Sequence, residues 1–483
     1  MKSSIMHAAM NVPELSMRPR RHSSYSRYAA ATLAAILIAA FLLNPSATAA
    51  QKKSKPAGLR PARQVAPAPP MGWNSWDCYG TTVTEAEVKA QADYMRRHLA
   101  RFGWQYLVVD IQWYEPNAKA HGYRENAELV IDGYGRLLPA TNRFPSAAGG
   151  RGFKPLADYV HRLGLNFGIH IMRGIPRRAV KADLPVWGGA ARAQEIADEK
   201  STCSWNTDMY GVDLSKPGGQ AYYDSIVALY AQWGVDYIKA DDMSSPFHEA
   251  EIAALSRAIQ KSGRPIVLSL SPGPAPLERA EFLRHHAQLW RISNDFWDRW
   301  EDLRKQFEYC RQWARFIGPT SWPDADMLPP GRVGIRAERG DDRRTRFTTD
   351  EQYTLMTLWL IFRSPLMMGG DLPSNDAFTL PLLTNPEALA VHRNSAGNRE
   401  LFARDHQVAW VAGVPGSKDK YLAVFNLDDR AADIKIEWRE LGLTGACAVR
   451  DLWQRKALGL FAGEMVANVR PHGAALYRVS PRR

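Results

Sequence analysis

Short apolar segments alternate with longer amphipathic ones between residues 67 and 391, and this alternation restricts the fold more than any other feature. Strands that alternate with helices form parallel sheets. Eight such units over about 320 residues predict a (β/α)₈ TIM barrel. An open doubly wound sheet is the alternative, but no glycine-rich phosphate loop follows the first apolar segment. The segments predicted as strands are 70–76, 105–113, 165–172, 235–241, 264–271, 288–293, 315–322 and 364–372.

The pattern changes after residue 391. Short alternating segments separated by turns occur at 421–429, 432–438, 447–453 and 472–480. Alternation with period two is typical of half-buried strands in antiparallel sheets. We therefore expect residues 392–483 to form an antiparallel β-sandwich domain behind the barrel.

The first fifty residues have the three regions of a signal peptide. Arginines precede a 15-residue apolar run, Ala29–Leu43, and "ATAA" at 47–50 supplies small residues for cleavage. The run is short for a membrane span, so we expect residues 1–50 to be removed on export to the periplasm or the medium, leaving no stable membrane insertion. The alternative is an uncleaved anchor that holds the protein at the membrane. Residues 51–66 are basic, contain proline and alanine, and are expected to be a linker.

The net charge of +12 does not indicate a nucleic-acid partner. Residues 1–50 carry +4 and residues 51–66 carry +5, so only +3 remains for the rest of the chain. No basic and aromatic pattern follows. The four cysteines are widely separated and form no CxxC pair, which argues against a zinc site and gives no sign of a disulfide framework.

Polar residues cluster at the carboxyl ends of the predicted strands. Asp110, His170, Asp241, Ser271 and the stretch 293–295 all stand there. In a barrel these ends form one face, which carries the active site. Two acids from different strands, of which Asp241 and Asp295 are the best pair, favour glycoside hydrolysis. Tryptophans suited to packing against sugar C–H groups stand beside these motifs, namely Trp73, Trp76, Trp113, Trp205, Trp297 and Trp322.

The motif "APPMGWNSWDCYG" (68–80) resembles the opening of glycoside hydrolase family 27, the α-galactosidase and α-N-acetylgalactosaminidase group of clan D. The resemblance continues in order through "YLVVDIQW", "WGVDYIKADD", "WRISNDFW", "WPDADML", "SPLMMGGDL" and "LLTNPEALAVHRNSAG". It covers the chain from about residue 67 to its end. It implies a (β/α)₈ barrel followed by an antiparallel β domain, the same architecture that the strand pattern predicts.

The resemblance also implies a retaining mechanism with two carboxylates. The nucleophile two residues after the lysine of K-x-D is Asp241, and the acid/base four residues after the arginine of the W-R strand is Asp295. Asp241 must be ionised to attack, which neighbouring cations favour, whereas Asp295 must hold a proton for the leaving oxygen. Asp242 is expected to face away and to cap the next helix. The predicted substrate-binding residues are Trp76, Asp110, Trp113, His170, Lys239, Ser271, Arg291, Asp326 and Met327.

Departures from the family pattern bear on the sugar. The second strand of the family ends in two adjacent acids that hold sugar hydroxyls, and here the pair reads Asp110-Ile111. Ser271 stands where a glutamate that reads the 2-hydroxyl is expected, and His170 replaces an aromatic residue. The expected activity is that of an exo-acting α-galactosidase without metal or cofactor, acting on a small glycoside or oligosaccharide. The alternatives within the family are β-L-arabinopyranosidase, α-N-acetylgalactosaminidase and isomalto-dextranase.

Two further functions compete with hydrolysis. A barrel that only binds carbohydrate would have no use for a nucleophile and an acid at these spacings. An aldolase would use Lys239 as a Schiff base, but a carboxylate two residues away keeps the amine protonated. The charged segment 334–350 is expected to be a solvated loop near the active-site face, with a lid that contacts substrate as the alternative.

Overall fold

The computed structural model describes residues 65–482 of the 483-residue chain. The predicted signal peptide, and the predicted linker up to residue 64, lie outside the described residues. Residues 65–482 hold a barrel and a β-sandwich: the larger apolar core contains side chains of both, and a second core lies inside the sandwich. No helix in this range is long and apolar enough to span a membrane.

Eight parallel strands, β1–β8, form a curled sheet, which confirms the fold predicted from the sequence. Neighbours in sequence are neighbours in the sheet, in the order β7-β6-β5-β4-β3-β2-β1-β8. A parallel bridge between Leu328, just after β7, and Met368 of β8 closes the barrel. In chain order the strands are Met71–Asn74, Tyr106–Val109, Asn166–Met172, Tyr237–Asp241, Val267–Leu270, Leu289–Arg291, Trp322–Asp324 and Leu366–Met368.

Each barrel strand is followed by a helix, numbered α1–α8, that covers the sheet. Thr84 and Thr348 begin α1 and α7 with capping boxes, and Gly234 ends α3 with a positive φ of 87°. The eight helices are Glu85–Tyr94, Lys154–Arg162, Pro217–Trp233, Glu249–Ser262, Ala280–His286, Trp300–Trp313, Thr349–Phe362 and Pro386–Arg393. Shorter helices lie at Trp76–Tyr79, Arg177–Lys181, Ala193–Ile196 and Thr379–Thr384.

The seventh strand lies later in the chain than the sequence predicted. Residues Ala314–Phe316 form a 3₁₀ turn after α6, and Gly318 and Ser321 pair across a tight turn. The strand itself is Trp322–Asp324, within the segment "WPDADML". The prediction of 315–322 was therefore wrong in position. The apolar residues directly after α6 suggested a strand, but they form the turn that leads into it.

The C-terminal domain contains strands β9–β16 in two antiparallel sheets. One has the order β9-β10-β11-β16-β13-β14, and the other pairs β12 with β15. Apolar side chains from both sheets, including Val424, Ile434 and Val449, pack between them. The strands are Ala396–Arg404, Gln407–Gly413, Lys420–Asn426, Ala432–Glu437, Ala446–Asp451, Lys456–Ala462, Glu464–Val469 and Ala474–Pro481.

The outer face of the larger sheet packs against the barrel helices. Phe425 of β11 meets Phe307 of α6 edge-on with ring centroids 4.9 Å apart, and Trp410 of β10 meets Phe362 of α7 at 6.1 Å. The sandwich thus covers helices that would otherwise expose apolar surface. The four cysteines are buried and unpaired.

Candidate active site

A cavity of about 550 Å³ opens at the carboxyl ends of the barrel strands. This is the end of a (β/α)₈ barrel at which active sites are built. The loops that follow the strands supply much of its wall. The residues predicted from the sequence that line it are Trp76, Asp110, Lys239, Asp241, Arg291, Asp295, Asp326 and Met327.

Asp241 is the last residue of β4, and three side chains hold its carboxylate from inside the barrel. His170 of β3 donates from Nε2 to Oδ2 over 2.7 Å, and the Ser271 hydroxyl donates to Oδ1. The Lys239 ammonium lies 3.8 Å from Oδ2. Burial works to raise the pKa of Asp241, but the Lys239 charge and the hydrogen bonds from His170 and Ser271 hold it well below its usual range. The carboxylate is therefore ionised and fixed in direction, as a nucleophile requires.

Lys239 links the second and fourth strands. Its Nζ donates to Asp110 Oδ2 over 2.9 Å, and the Asn74 amide from β1 reaches the same oxygen over 2.6 Å. Burial alone would lower the pKa of Lys239, but Asp110 and Asp241 raise it above its ordinary value. The amine is therefore protonated, which argues against the aldolase alternative because a Schiff base needs a neutral amine.

Asp242 points away from the cavity, as expected. It pairs with Arg173, whose Nη2 lies 2.8 Å from Oδ2, and Arg173 also pairs with Glu251 of α4 over 2.8 Å. All three side chains are buried. The expectation that Asp242 caps the next helix was wrong, because α4 begins only at Glu249, after His248. Asp242 instead anchors an ion-pair cluster behind the strand.

The second carboxylate group of the site lies after β6. Arg291 of this strand places Nη2 3.3 Å from Asp295 Oδ1 and 2.7 Å from Asp326 Oδ2. Asp326 also accepts a hydrogen bond from the Phe296 amide over 2.7 Å. The arginine thus fixes Asp326 and the Asp295 loop together, and Asp295 remains more open to the cavity than Asp326.

Three of the predicted substrate-binding residues do not line the cavity. Trp113 is fully buried, donates from its indole to the His170 carbonyl over 2.8 Å, and packs on Phe153. His170 and Ser271 are buried under Asp241. Their prediction as sugar contacts was wrong because sequence position shows that a residue ends a strand but not what its side chain meets. His170 and Ser271 are positioning residues for Asp241.

An aromatic wall of Trp76, Tyr123 and Trp205 leads from the cavity outward. The Trp76 and Tyr123 rings stack at 5.7 Å, and Trp205, which is 36% exposed, lies 5.5 Å from Tyr123. Such a surface can pack against the C–H faces of sugars. Tyr123 was missed from the sequence because it lies in a long loop after β2 without strand or helix periodicity. Among the other noted tryptophans, Trp297 also lines the cavity, and Trp73 and Trp322 are core residues.

The charged segment 334–350 contributes to the rim. Glu338 and Arg339 line the cavity, and the segment begins after the short hairpin strand Arg332–Val333. This agrees with the alternative of a segment that contacts substrate. Arg299 and Lys305 from the start of α6 complete the same charged rim.

One group of potential metal ligands occurs within residues 65–482. Asp110, His170 and Asp241 offer ligand atoms within 4.8 Å of one another. The Lys239 ammonium already binds Asp110 and approaches Asp241, and His170 donates its Nε2 hydrogen to Asp241. These residues do not fit a metal ion, because a cationic side chain already balances the two carboxylates.

Comparison with known proteins identifies the family. A profile described as alpha galactosidase A matches residues 212–394, and one for the alpha galactosidase C-terminal beta sandwich domain matches 405–479. The α-galactosidase of Coffea arabica is 30% identical over 86% of this chain and 94% of its own length. The chain belongs to glycoside hydrolase family 27.

Two solved structures of bacterial proteins have a higher sequence identity with this chain than the Coffea arabica enzyme has. A family 27 β-L-arabinopyranosidase from Geobacillus stearothermophilus, solved in complex with arabinose, is 52% identical, with a TM-score of 0.85. The match covers 86% of this chain and 98% of that one. A putative α-N-acetylgalactosaminidase from Bacillus halodurans is 48% identical, with a TM-score of 0.79, over 87% of this chain and 99% of that one.

The opposite directions of the two adjacent carboxylates generate a prediction. Asp241→Asn should lower kcat by about 10⁴-fold or more on every glycoside, because a nucleophile and its charge are lost. Asp242→Asn should keep the turnover of the folded enzyme but lose about 3 kcal/mol of unfolding free energy, because Arg173 and Glu251 are left unbalanced. Kinetics and thermal denaturation of both variants test this. Equal inactivity of folded Asp242→Asn would contradict the assignment.

The charge of Lys239 generates a pH prediction. Because Lys239 lowers the pKa of Asp241, removing the ammonium should raise that pKa and move the acid limb of kcat/KM to higher pH. We expect the shift in Lys239→Met, measured on an activated aryl glycoside across pH 3–8. Lys261→Met, at an exposed lysine of α4, is the matched control and should leave the limb in place. An acid limb at the same pH in both variants would show that Lys239 does not control the nucleophile.

Proposed function

We propose that this protein is a retaining β-L-arabinopyranosidase. The observation that carries the proposal is the 52% identity with the β-L-arabinopyranosidase of G. stearothermophilus along almost the whole of that chain. Identity with the curated α-galactosidases of plants is 27–30%. The comparison therefore favours β-L-arabinopyranosidase, which the sequence analysis gave as an alternative, over α-galactosidase, which it gave as the expected activity.

The chemistry of the two sugars agrees with this choice. β-L-Arabinopyranose has the ring stereochemistry of α-D-galactopyranose and lacks the hydroxymethyl group on C5. The same nucleophile and acid can therefore serve both sugars, and the wall of the cavity must distinguish them. Ile111 lines the cavity directly after Asp110, where the family pattern has a second acid. An aliphatic side chain cannot hydrogen-bond an additional sugar hydroxyl, so a galactoside would leave that hydroxyl unpaired.

The proposed reaction is a double displacement. Ionised Asp241, held by His170 and Ser271, attacks the anomeric carbon while Asp295 gives its proton to the leaving oxygen. The Lys239 ammonium and Arg291 guanidinium balance the negative charge of the site. Asp295 then takes a proton from a water molecule whose oxygen attacks the anomeric carbon, and the bond to Asp241 breaks, which releases the sugar with its original configuration. The aromatic wall at Tyr123 and Trp205 would hold the leaving group.

The 48% identity with the putative α-N-acetylgalactosaminidase of B. halodurans supports that activity as a second candidate. That sugar carries an acetamido group at C2 in place of a hydroxyl. The same experiment distinguishes the two. Export through residues 1–50 remains part of the proposal and is checked by sequencing the amino terminus of the secreted protein.

A substrate comparison tests the proposed function. With nitrophenyl β-L-arabinopyranoside, α-D-galactopyranoside and α-N-acetylgalactosaminide at one pH, we expect the highest kcat/KM on the arabinoside, by about tenfold or more. The first sugar released should be the β anomer by proton NMR, because two inversions restore the configuration. A higher kcat/KM on the galactoside or the N-acetylgalactosaminide would show that the enzyme prefers that sugar and would overturn the proposed specificity. Release of the α anomer first from the arabinoside would exclude the retaining mechanism.

The role given to Ile111 generates a separate prediction. Ile111→Asp restores the family's pair of acids, and the ratio of kcat/KM for the α-galactoside over the β-L-arabinopyranoside should rise by about tenfold. Ile111→Val, which keeps an apolar wall of similar shape, is the matched control and should change this ratio by less than about twofold. An unchanged ratio in Ile111→Asp would show that other residues select the sugar.

A further inference from the structure

Asp77 is an acid of the cavity wall that the proposed mechanism does not use. It follows Trp76 in the short helix Trp76–Tyr79 at the end of β1, and it lines the cavity. Only 2% of the residue is exposed. A carboxyl group buried to this degree normally has a hydrogen-bond partner.

The Asp77 carboxyl lacks the partners that other buried acids of this protein have. No hydrogen bond reaches its Oδ2 within residues 65–482. Away from the cavity, Asp242 pairs with Arg173. Likewise, Asp371 accepts hydrogen bonds from Tyr79 over 2.8 Å and Gln91 over 2.6 Å. Within the same range, Glu115 and Asp208 also have one buried oxygen without a partner, but the other oxygen of each accepts a hydrogen bond, which distinguishes them from Asp77.

The backbone makes room for this carboxyl group. Oδ2 lies directly against Gly369, after β8, and any side chain at position 369 would overlap it. A glycine at this point therefore lets the Asp77 carboxyl lie at the edge of the cavity. This close contact explains why the first glycine of the motif "SPLMMGGDL", Gly369, has no side chain.

The surroundings also determine the protonation of Asp77. Burial, with the neighbouring carboxylates Asp326 and Asp295, raises the pKa of Asp77 well above its usual range, and Lys239 only partly opposes this. These surroundings therefore favour the protonated form of Asp77 more than water does. A neutral carboxylic acid carries an O–H donor as well as an acceptor oxygen.

We propose that Asp77 is a substrate-contacting residue that forms a hydrogen bond with one ring hydroxyl of the bound sugar and so contributes to sugar selection. Oδ2 is closed off against Gly369, so Oδ1 is the oxygen that a hydroxyl in the cavity can reach, and that contact gives the buried carboxyl group the partner it lacks. The proposal rests on the proposed glycosidase function of this site, but it does not depend on arabinose being the sugar.

A series of monodeoxy substrates tests this inference. Nitrophenyl glycosides of the sugar that the wild type hydrolyses best, each lacking one ring hydroxyl, are compared on wild type and Asp77→Ala. On the parent glycoside, kcat/KM of Asp77→Ala should fall about tenfold. On one deoxy glycoside the two enzymes should differ by less than about twofold, because the contact is already absent. Asp77→Asn, whose amide remains a neutral donor, should restore the wild-type pattern.

A purely structural role would give a different result. The ratio of wild type to Asp77→Ala would then be the same for every member of the series, and this outcome would overturn the proposal. If Asp77→Ala does not fold, Asp77→Leu, which fills the site without a polar atom, is measured on the same series. Asp371→Asn is the matched control, because it alters a buried acid that does not line the cavity. It should reduce thermal stability with an equal ratio across all substrates.

Discussion

The architecture of the site depends on the buried ammonium of Lys239. Two carboxylates of different strands, Asp110 and Asp241, lie within 4 Å of it, and the cation offsets the cost of burying two acidic side chains in the barrel. The contact joins β2 to β4, and Asn74 brings in β1 through Asp110. One charge therefore holds three strand ends in register with each other and keeps the nucleophile ionised. Arg291 joins Asp295 and Asp326 on the opposite wall.

Much of this could be predicted from the sequence, and the successes have one physical origin. The period of the apolar residues identifies strands, and in a barrel every strand end reaches the same face. That reasoning places Asp110, Asp241 and Arg291 in one cavity without a structure. It fails where the answer depends on side-chain direction or on loops. His170 and Ser271 also end strands, but they turn beneath Asp241, and Tyr123 enters from a loop whose path no periodicity records.

The catalytic residues and the cavity wall follow different constraints. Asp241 is held on several sides by Lys239, His170 and Ser271, so a change in any of these alters the nucleophile itself. Ile111, Asp77 and Trp205 line the cavity and make no hydrogen bond to that carboxylate. They can vary while the reaction remains the same. This explains how members of one family can share a mechanism and differ in the sugar they accept.

The adjacent carboxylates of β4 also explain why this strand cannot tolerate an insertion or a deletion. Asp241 faces the cavity, and Asp242, at a positive φ of 60°, turns back into a buried cluster with Arg173. With the start of the strand fixed in the barrel, an insertion of one residue before Asp241 would bring Ala240 to the position that faces the cavity and so remove the nucleophile. A deletion of one residue would bring Met243 to the position beside Arg173 and leave that cluster without its acid. Natural selection therefore acts on the length of this strand twice, once through turnover and once through folding yield, so descendants of this gene should preserve its length even where individual side chains diverge.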